Sequence, residues 1–158
     1  MPRAELSLRA RALRYLAQRE HSRVELQRKL SRHDADPAAI DSLLDELQRL
    51  NLLSAERFAQ SLVHRRRSRY GVARIAQELA VHGLDAEITA AALRAVGDDE
   101  RARAQAVWAR KFAHLPQDAA ERARQTRFLQ QRGFSSDVVR AVLRGDTADG
   151  GQADEAAG

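Results

Sequence analysis

Apolar positions recur every three or four residues along nearly the whole chain and nowhere alternate singly, so the pattern predicts helices and leaves no strand to compete. Ala12, Leu13, Leu16 and Ala17 form the stripe of a first helix. Ser22 followed by Glu25 reads as a capping box opening a second, which carries Val24, Leu26 and Leu30. Asp36 then Pro37 starts a third: the carboxylate caps free amides, and proline has no N–H to waste at the first helical position. Ile40, Leu43, Leu44, Leu47 and Leu50 continue it on one face. Ser54 caps a fourth helix bearing Phe58, Ala59, Leu62 and Val63, and Gly71 separates it from a fifth bearing Val72, Ile75, Ala76 and Leu79. Gly83 is placed as a left-handed stop, and Asp85 caps a sixth helix with Ile88, Ala91, Ala92 and Leu93, ended by Gly97 and Asp98. A seventh holds Ala104, Val107, Trp108 and Phe112 and breaks before Pro116. Asp118 opens an eighth with Ala123, Thr126 and Leu129, Gly133 stops it, and Ser135 caps a ninth through Val138, Val139, Val142 and Leu143.

These nine elements repeat. A shift of 50 residues takes Gly83 to Gly133, Leu79 to Leu129, Leu84 to Phe134, Asp85 to Ser135, Ile88 to Val138, Leu93 to Leu143, Phe58 to Trp108 and Leu62 to Phe112. A shift of 49 takes Leu13 to Leu62, Ser22 to Gly71, Leu26 to Ile75 and Leu30 to Leu79, a looser match. The expectation is an all-α, elongated array of three tandem three-helix repeats, at residues 1–53, 54–97 and 98–145, each too small to bury its own apolar face alone. Residues 146–158 are rich in Gly, Asp and Ala without apolar period, and are expected to form a disordered acidic tail.

Composition narrows the function classes. The chain has 158 residues and no cysteine, which excludes disulfides, thiolate zinc sites and cysteine nucleophiles and suits a reducing cytosol. Arg3, Glu5, Arg9 and Arg11 interrupt the first dozen residues, so these contain no apolar stretch of the length a signal peptide or membrane span needs. A soluble cytoplasmic protein is expected. The net charge is +5, but Asp146, Asp149, Asp154 and Glu155 all lie in the tail, and without those four carboxylates residues 1–145 stand at +9. Of 27 basic residues only Lys29 and Lys111 are lysine, and arginine is the better fork for phosphate or carboxylate. A polyanion or an acidic protein surface is the implied partner, against the plainer reading that the arginines are solvated helix faces.

No catalytic constellation is present: there is no Gly-x-Ser-x-Gly elbow, no phosphate-binding glycine loop with its lysine, and no His-Glu-x-x-His. A non-enzyme needing neither cofactor nor metal is expected. His33 with Asp34 and Asp36 is the one suggestive histidine grouping, and Asp36 is better explained as a cap. The sharpest cluster is Arg65, Arg66, Arg67, Arg69 and Arg74, with Tyr70 inside it, as the candidate partner or DNA contact. The nearest acids along the chain, Glu56 and Glu78, stand at a distance, although a helix dipole also favours cations at its end. Tyr70 could stack on a base or simply close the helix end. The Gly83 and Gly133 turns look like those of a DNA-reading helix-turn-helix, a weak signal that any capped three-helix repeat produces.

Taken in order, Ser22-Arg23-x-Glu25-Leu26, Phe58-Ala59-x-Ser61 leading to the arginine string, Tyr70-Gly71, Ile75-x-x-Glu78-Leu79-x-x-x-Gly83 and Phe128-Leu129-x-x-Arg132-Gly133-Phe134-Ser135 resemble the RecX family, regulators of the bacterial RecA recombinase. The resemblance runs from about Ala12 to Leu143. It implies a curved array of three three-helix repeats that binds in the groove of the RecA filament on single-stranded DNA, blocks extension and promotes disassembly, with loss of ATP hydrolysis, strand exchange and coprotease activity. It supplies no catalytic residue. Direct contact with single- or double-stranded DNA, a monomeric state and no membrane association complete the expectation. The alternatives are a sequence-tolerant DNA-binding protein acting without RecA and a helical adaptor for another acidic protein.

Overall fold

The computed structural model describes residues 4–33 and 36–146. The acidic tail from residue 147 on, and Asp34 of the histidine grouping, lie outside the described residues. Among those described there are nine α-helices and no strand: α1 (Leu8–Gln18), α2 (Arg23–Ser31), α3 (Pro37–Arg49), α4 (Ala55–Arg66), α5 (Val72–Ala80), α6 (Ala86–Gly97), α7 (Glu100–Lys111), α8 (Ala119–Gln131) and α9 (Ser136–Arg144).

The helix starts follow the capping residues. Ser22 Oγ accepts from Glu25 N at 3.1 Å, Asp36 from Ala38 N, Ser54 from Arg57 N, Asp118 from Glu121 N and Ser135 from Val138 N. The capping box at Ser22 closes on one side only. Glu25 bonds Arg19 instead of turning back to the cap, and Ser22 Oγ, fully buried, also lies 2.6 Å from His82 Nδ1. Gly83 and Gly133 adopt the expected left-handed conformation, φ +61° and +85°.

The described residues form two compact units, one of those up to Leu62 together with Leu79–Thr89, the other of Val63–Glu78 together with those from Ala90 onward. In the first unit α2 packs on α1 and α3. The core under α1 to α3 is aliphatic: Ala12, Leu26, Leu30, Ile40, Leu43, Leu44, Leu47 and Leu53, with Leu8, Leu13, Tyr15 and Leu16 packed against it. Two positions of the expected stripes turn outward. Ala17 is exposed near the end of α1, and Leu50 caps α3 where the helical path has already ended, leaving it 52% exposed.

In the second unit α7, α8 and α9 pack on one another around Ala104, Val107, Trp108, Leu129, Phe134, Val139, Val142 and Leu143, with Phe112, Phe128 and Val138 at the margin. The inward face of α8 is not the expected one. Ala123 is exposed and Gln125 is buried, its Oε1 accepting the indole N–H of Trp108 at 2.8 Å and its amide donating to the His114 carbonyl at 3.3 Å. A hydrophobic-stripe reading passes over glutamine, whereas its partners make the burial affordable.

Within this same unit the start of α5 meets the α8–α9 turn at backbone distance. Gly71 N donates to Arg132 O at 2.8 Å, and Ala73 N to Gly133 O at 3.2 Å. A Cβ on Gly71 would stand 2.3 Å from Gly133 O, and one on Gly133 would stand 2.4 Å from Arg74 N. No side chain fits at either place.

Candidate binding site

The arginine string leaves α4 and runs through Ser68 to Tyr70, and the second unit holds this segment by its carbonyls. Arg103 on α7 is the clasp. Its Nη1 donates to Arg67 O at 2.8 Å and Tyr70 O at 2.7 Å, its Nη2 to Val96 O at 2.8 Å, and its Nε to Asp99 Oδ1 at 2.8 Å. The side chain is only 9% exposed, so a guanidinium satisfies the terminal carbonyls of two helices that would otherwise end without partners. Asp99 bridges Arg103 to Arg67. Burial pushes the Asp99 carboxyl up, but the hydrogen bond from Arg103 and the charges of Arg67 and Arg103 outweigh it and hold the group below its ordinary range.

The structure therefore divides the predicted cluster. Arg66 Nε is paired with Glu78 at 2.9 Å, and Arg67 with Asp99. The expectation that local acids would leave these arginines unneutralised is corrected for both: folding of α5 returns Glu78 to the end of α4, and the α6–α7 junction delivers Asp99 from 32 residues away. Arg65 lies exposed on the last turn of α4. Arg74 places its guanidinium 4.9 Å from the centroid of the half-buried Tyr70 ring.

Arg69 and Tyr70 instead line a groove of about 390 Å³ together with Val107, Arg110, Lys111, Phe128 and Arg132. Two of its cations are held by uncharged partners. Arg110 Nη2 donates to Ser68 O at 2.6 Å, and the Arg132 guanidinium lies 3.9 Å from the Phe128 ring centroid. Phe128 is itself seated edge-on against Phe112, centroids 5.1 Å apart. Among the described residues none of Arg69, Arg110, Lys111 and Arg132 is paired with a carboxylate. Arg110, Lys111, Phe128 and Arg132 were not among the candidate contacts read from the sequence. Phe128 and Arg132 stood there only as members of a family motif, and Lys111, one of two lysines, closes a basic pair at the end of α7.

The first unit carries a different arrangement. His21 is fully buried; its Nδ1 donates to Arg19 O at 3.0 Å, which leaves Nε2 to accept from Lys29 Nζ at 2.8 Å. Burial, with the charges of Arg19 and Lys29, lowers its pKa and keeps it neutral. Among the described residues no group of three or more His, Asp or Glu is placed to hold a metal ion, and no helix is long and apolar enough to cross a membrane.

Fold and site together define a class: an all-helical protein of three-helix domains whose distinctive surface is basic, grooved and free of carboxylate. Residues 9–47, 56–93 and 98–143 match, in order, the first, second and third three-helix domains of RecX. The chain is 56% identical over 142 residues to the regulatory protein RecX of Leptothrix cholodnii, covering 90% of each. It is 50% identical over 148 residues to that of Ralstonia nicotianae, covering 94% of this chain and 93% of the other. The crystal structure of RecX from Lactobacillus salivarius superposes with a TM-score of 0.74 at 22% identity, over 88% of this chain and 94% of that one. A second RecX crystal structure gives 0.75 at 20% identity, over 87% and 71%. The chain belongs to the RecX family of regulatory proteins.

Proposed function

We propose that this chain is a negative modulator of RecA that binds the RecA filament on single-stranded DNA, blocks its extension or promotes its disassembly, and so inhibits ATP hydrolysis, strand exchange and coprotease activity. The observation that carries this reading is the ordered match of all three RecX domains along the chain. It acts by binding, without catalysis of its own. The contact surface is the segment Arg65, Arg66, Arg67, Arg69 and Tyr70 with Arg74. Arg69 supplies an unpaired cation, and Arg66 and Arg67 exchange their intramolecular carboxylates for a partner's only at the cost of those pairs.

The test is the single-stranded-DNA-dependent ATPase of RecA with this protein at a small fraction of the RecA concentration. A strong fall at that ratio means one molecule silences many filament subunits. No effect at equal concentration, with helical circular dichroism intact, would overturn the reading. Arg65→Ala, Arg66→Ala and Arg67→Ala together should weaken inhibition without unfolding the protein, and unchanged inhibition would remove these three from the contact.

A further inference from the structure

We infer that the groove between the ends of α4, α7 and α8 is a phosphate-binding site for a nucleic-acid strand, with Arg69, Arg110, Lys111 and Arg132 as the phosphate ligands and Tyr70 and Phe128 as its aromatic walls. It concerns binding by this chain alone and holds or fails independently of any effect on RecA.

The charge balance carries the argument. Arg110 and Lys111 occupy the last turn of α7, Arg132 is the residue that caps α8, and Arg69 follows the end of α4. Three helix C-termini converge there, and cations at such ends need no ligand to explain them. Their combined partial charge, however, is about −1.5 at roughly half an elementary charge each, against four full positive charges. An excess of about +2.5 is left, and no carboxylate lines the groove to absorb it.

Positioning supports the same conclusion. Elsewhere in this unit Arg66 is paired with Glu78, and Arg67 and Arg103 share Asp99, so each has a carboxylate within reach. In the groove, Arg110 is steered by a carbonyl and Arg132 by a ring, contacts that orient a guanidinium while leaving its charge uncompensated. That is pre-organisation for an external anion. Phosphate suits it better than carboxylate because three forks and one point-charge ammonium are supplied from three separate helix ends, matching a tetrahedral anion more readily than a planar one. The adjoining Tyr70 and Phe128 rings favour a phosphate attached to bases. The groove volume is that of a unit the size of a small ligand, such as one nucleotide of a strand left open at both ends.

The experiment titrates the full chain with labelled oligothymidylate across a salt series, in parallel with inorganic pyrophosphate and a free nucleoside triphosphate. Arg69→Gln and Lys111→Gln are the test variants, both exposed and neither in an ion pair. Arg28→Gln, exposed on α2 in the first unit, is the charge-matched control. The plot of log affinity against log salt should become shallower by about 0.7 for each groove cation removed, with the control unchanged. An equal loss in the control would show diffuse attraction to net charge and overturn the site. Binding of pyrophosphate or nucleotide with no strand binding would overturn the strand reading. No binding of any phosphate, with loss of RecA inhibition in Lys111→Gln, would make the groove a protein contact instead.

Discussion

The first and third three-helix domains have the same helix order but fill their cores differently. The core of α1 to α3 is built almost wholly of leucine and isoleucine, whereas that of α7 to α9 holds Trp108 and Phe134, flanked by Phe112 and Phe128, and encloses the amide of Gln125. Position, not polarity, is what the repeat preserves. Leu26 and Leu30, Ile75 and Leu79, and Gln125 and Leu129 are pairs four residues apart on α2, α5 and α8, and all six are at most 2% exposed. Glutamine can occupy a place filled by leucine or isoleucine elsewhere because Trp108, standing where the second repeat has Phe58, brings the N–H that satisfies it.

The largest expected difference lies in two equivalent glycines. Gly133→Ala combines a left-handed residue with a Cβ 2.4 Å from the backbone of Arg74, and is expected to cost about 3 kcal/mol or more. Gly83→Ala has the same backbone strain, but its Cβ would meet only Val24 Cγ2 at 3.7 Å, and should cost about 1 to 2 kcal/mol. Urea titrations of the two variants check the ordering, and equal losses would mean that the close approach of α5 to the α8–α9 turn contributes nothing.

A smaller effect separates the cores. Gln125→Leu leaves the buried indole N–H of Trp108 without an acceptor and should destabilise by about 1 to 3 kcal/mol. Adding Trp108→Phe removes the orphaned donor and with it that penalty, leaving only the volume lost from the indole. A double-mutant cycle measures the coupling, and strict additivity would show that the hydrogen bond is not what makes the glutamine tolerable.

The smallest difference is in pH response. The pKa of His21 is lowered on folding, so the unfolded chain binds the proton first, and stability falls as pH drops below about 6.5. Asp99 is also held below its ordinary value, but its contribution is present above about pH 4 and is lost only as pH falls through the folded value. Residue-resolved hydrogen exchange between pH 7 and 5 should therefore show α1 and α2 losing protection while α7 does not. Replacing His21 with glutamine should flatten that loss, and an unchanged profile would assign it elsewhere.

Much of this was legible in the residues. The caps at Ser22, Asp36, Ser54, Asp118 and Ser135, the stops at Gly83 and Gly133 and the 50-residue shift are local rules, in which a side chain acts on backbone a few residues away. The site was half legible. Arg69, Tyr70 and Arg74 stood in one string, yet the same string held Arg66 and Arg67, which the structure pairs with Glu78 and Asp99. Arg110 and Lys111 gave no comparable signal, and Phe128 and Arg132 stood in a family motif without any sign that they line a groove, because that depends on which helix ends packing brings together.

The sequence by itself determined the nine helices, the caps at which five of them start and the threefold repeat, because hydrogen bonds four residues apart and a 3.6-residue period are short-range consequences of local chemistry. Only the tertiary structure decided which arginines meet a carboxylate and which do not. Ion pairs form only at contact distance, and partners 12 and 32 residues apart along the chain reach it only through packing. The same packing set Gly71 against Gly133, and gathered four cations from three helix ends into one groove.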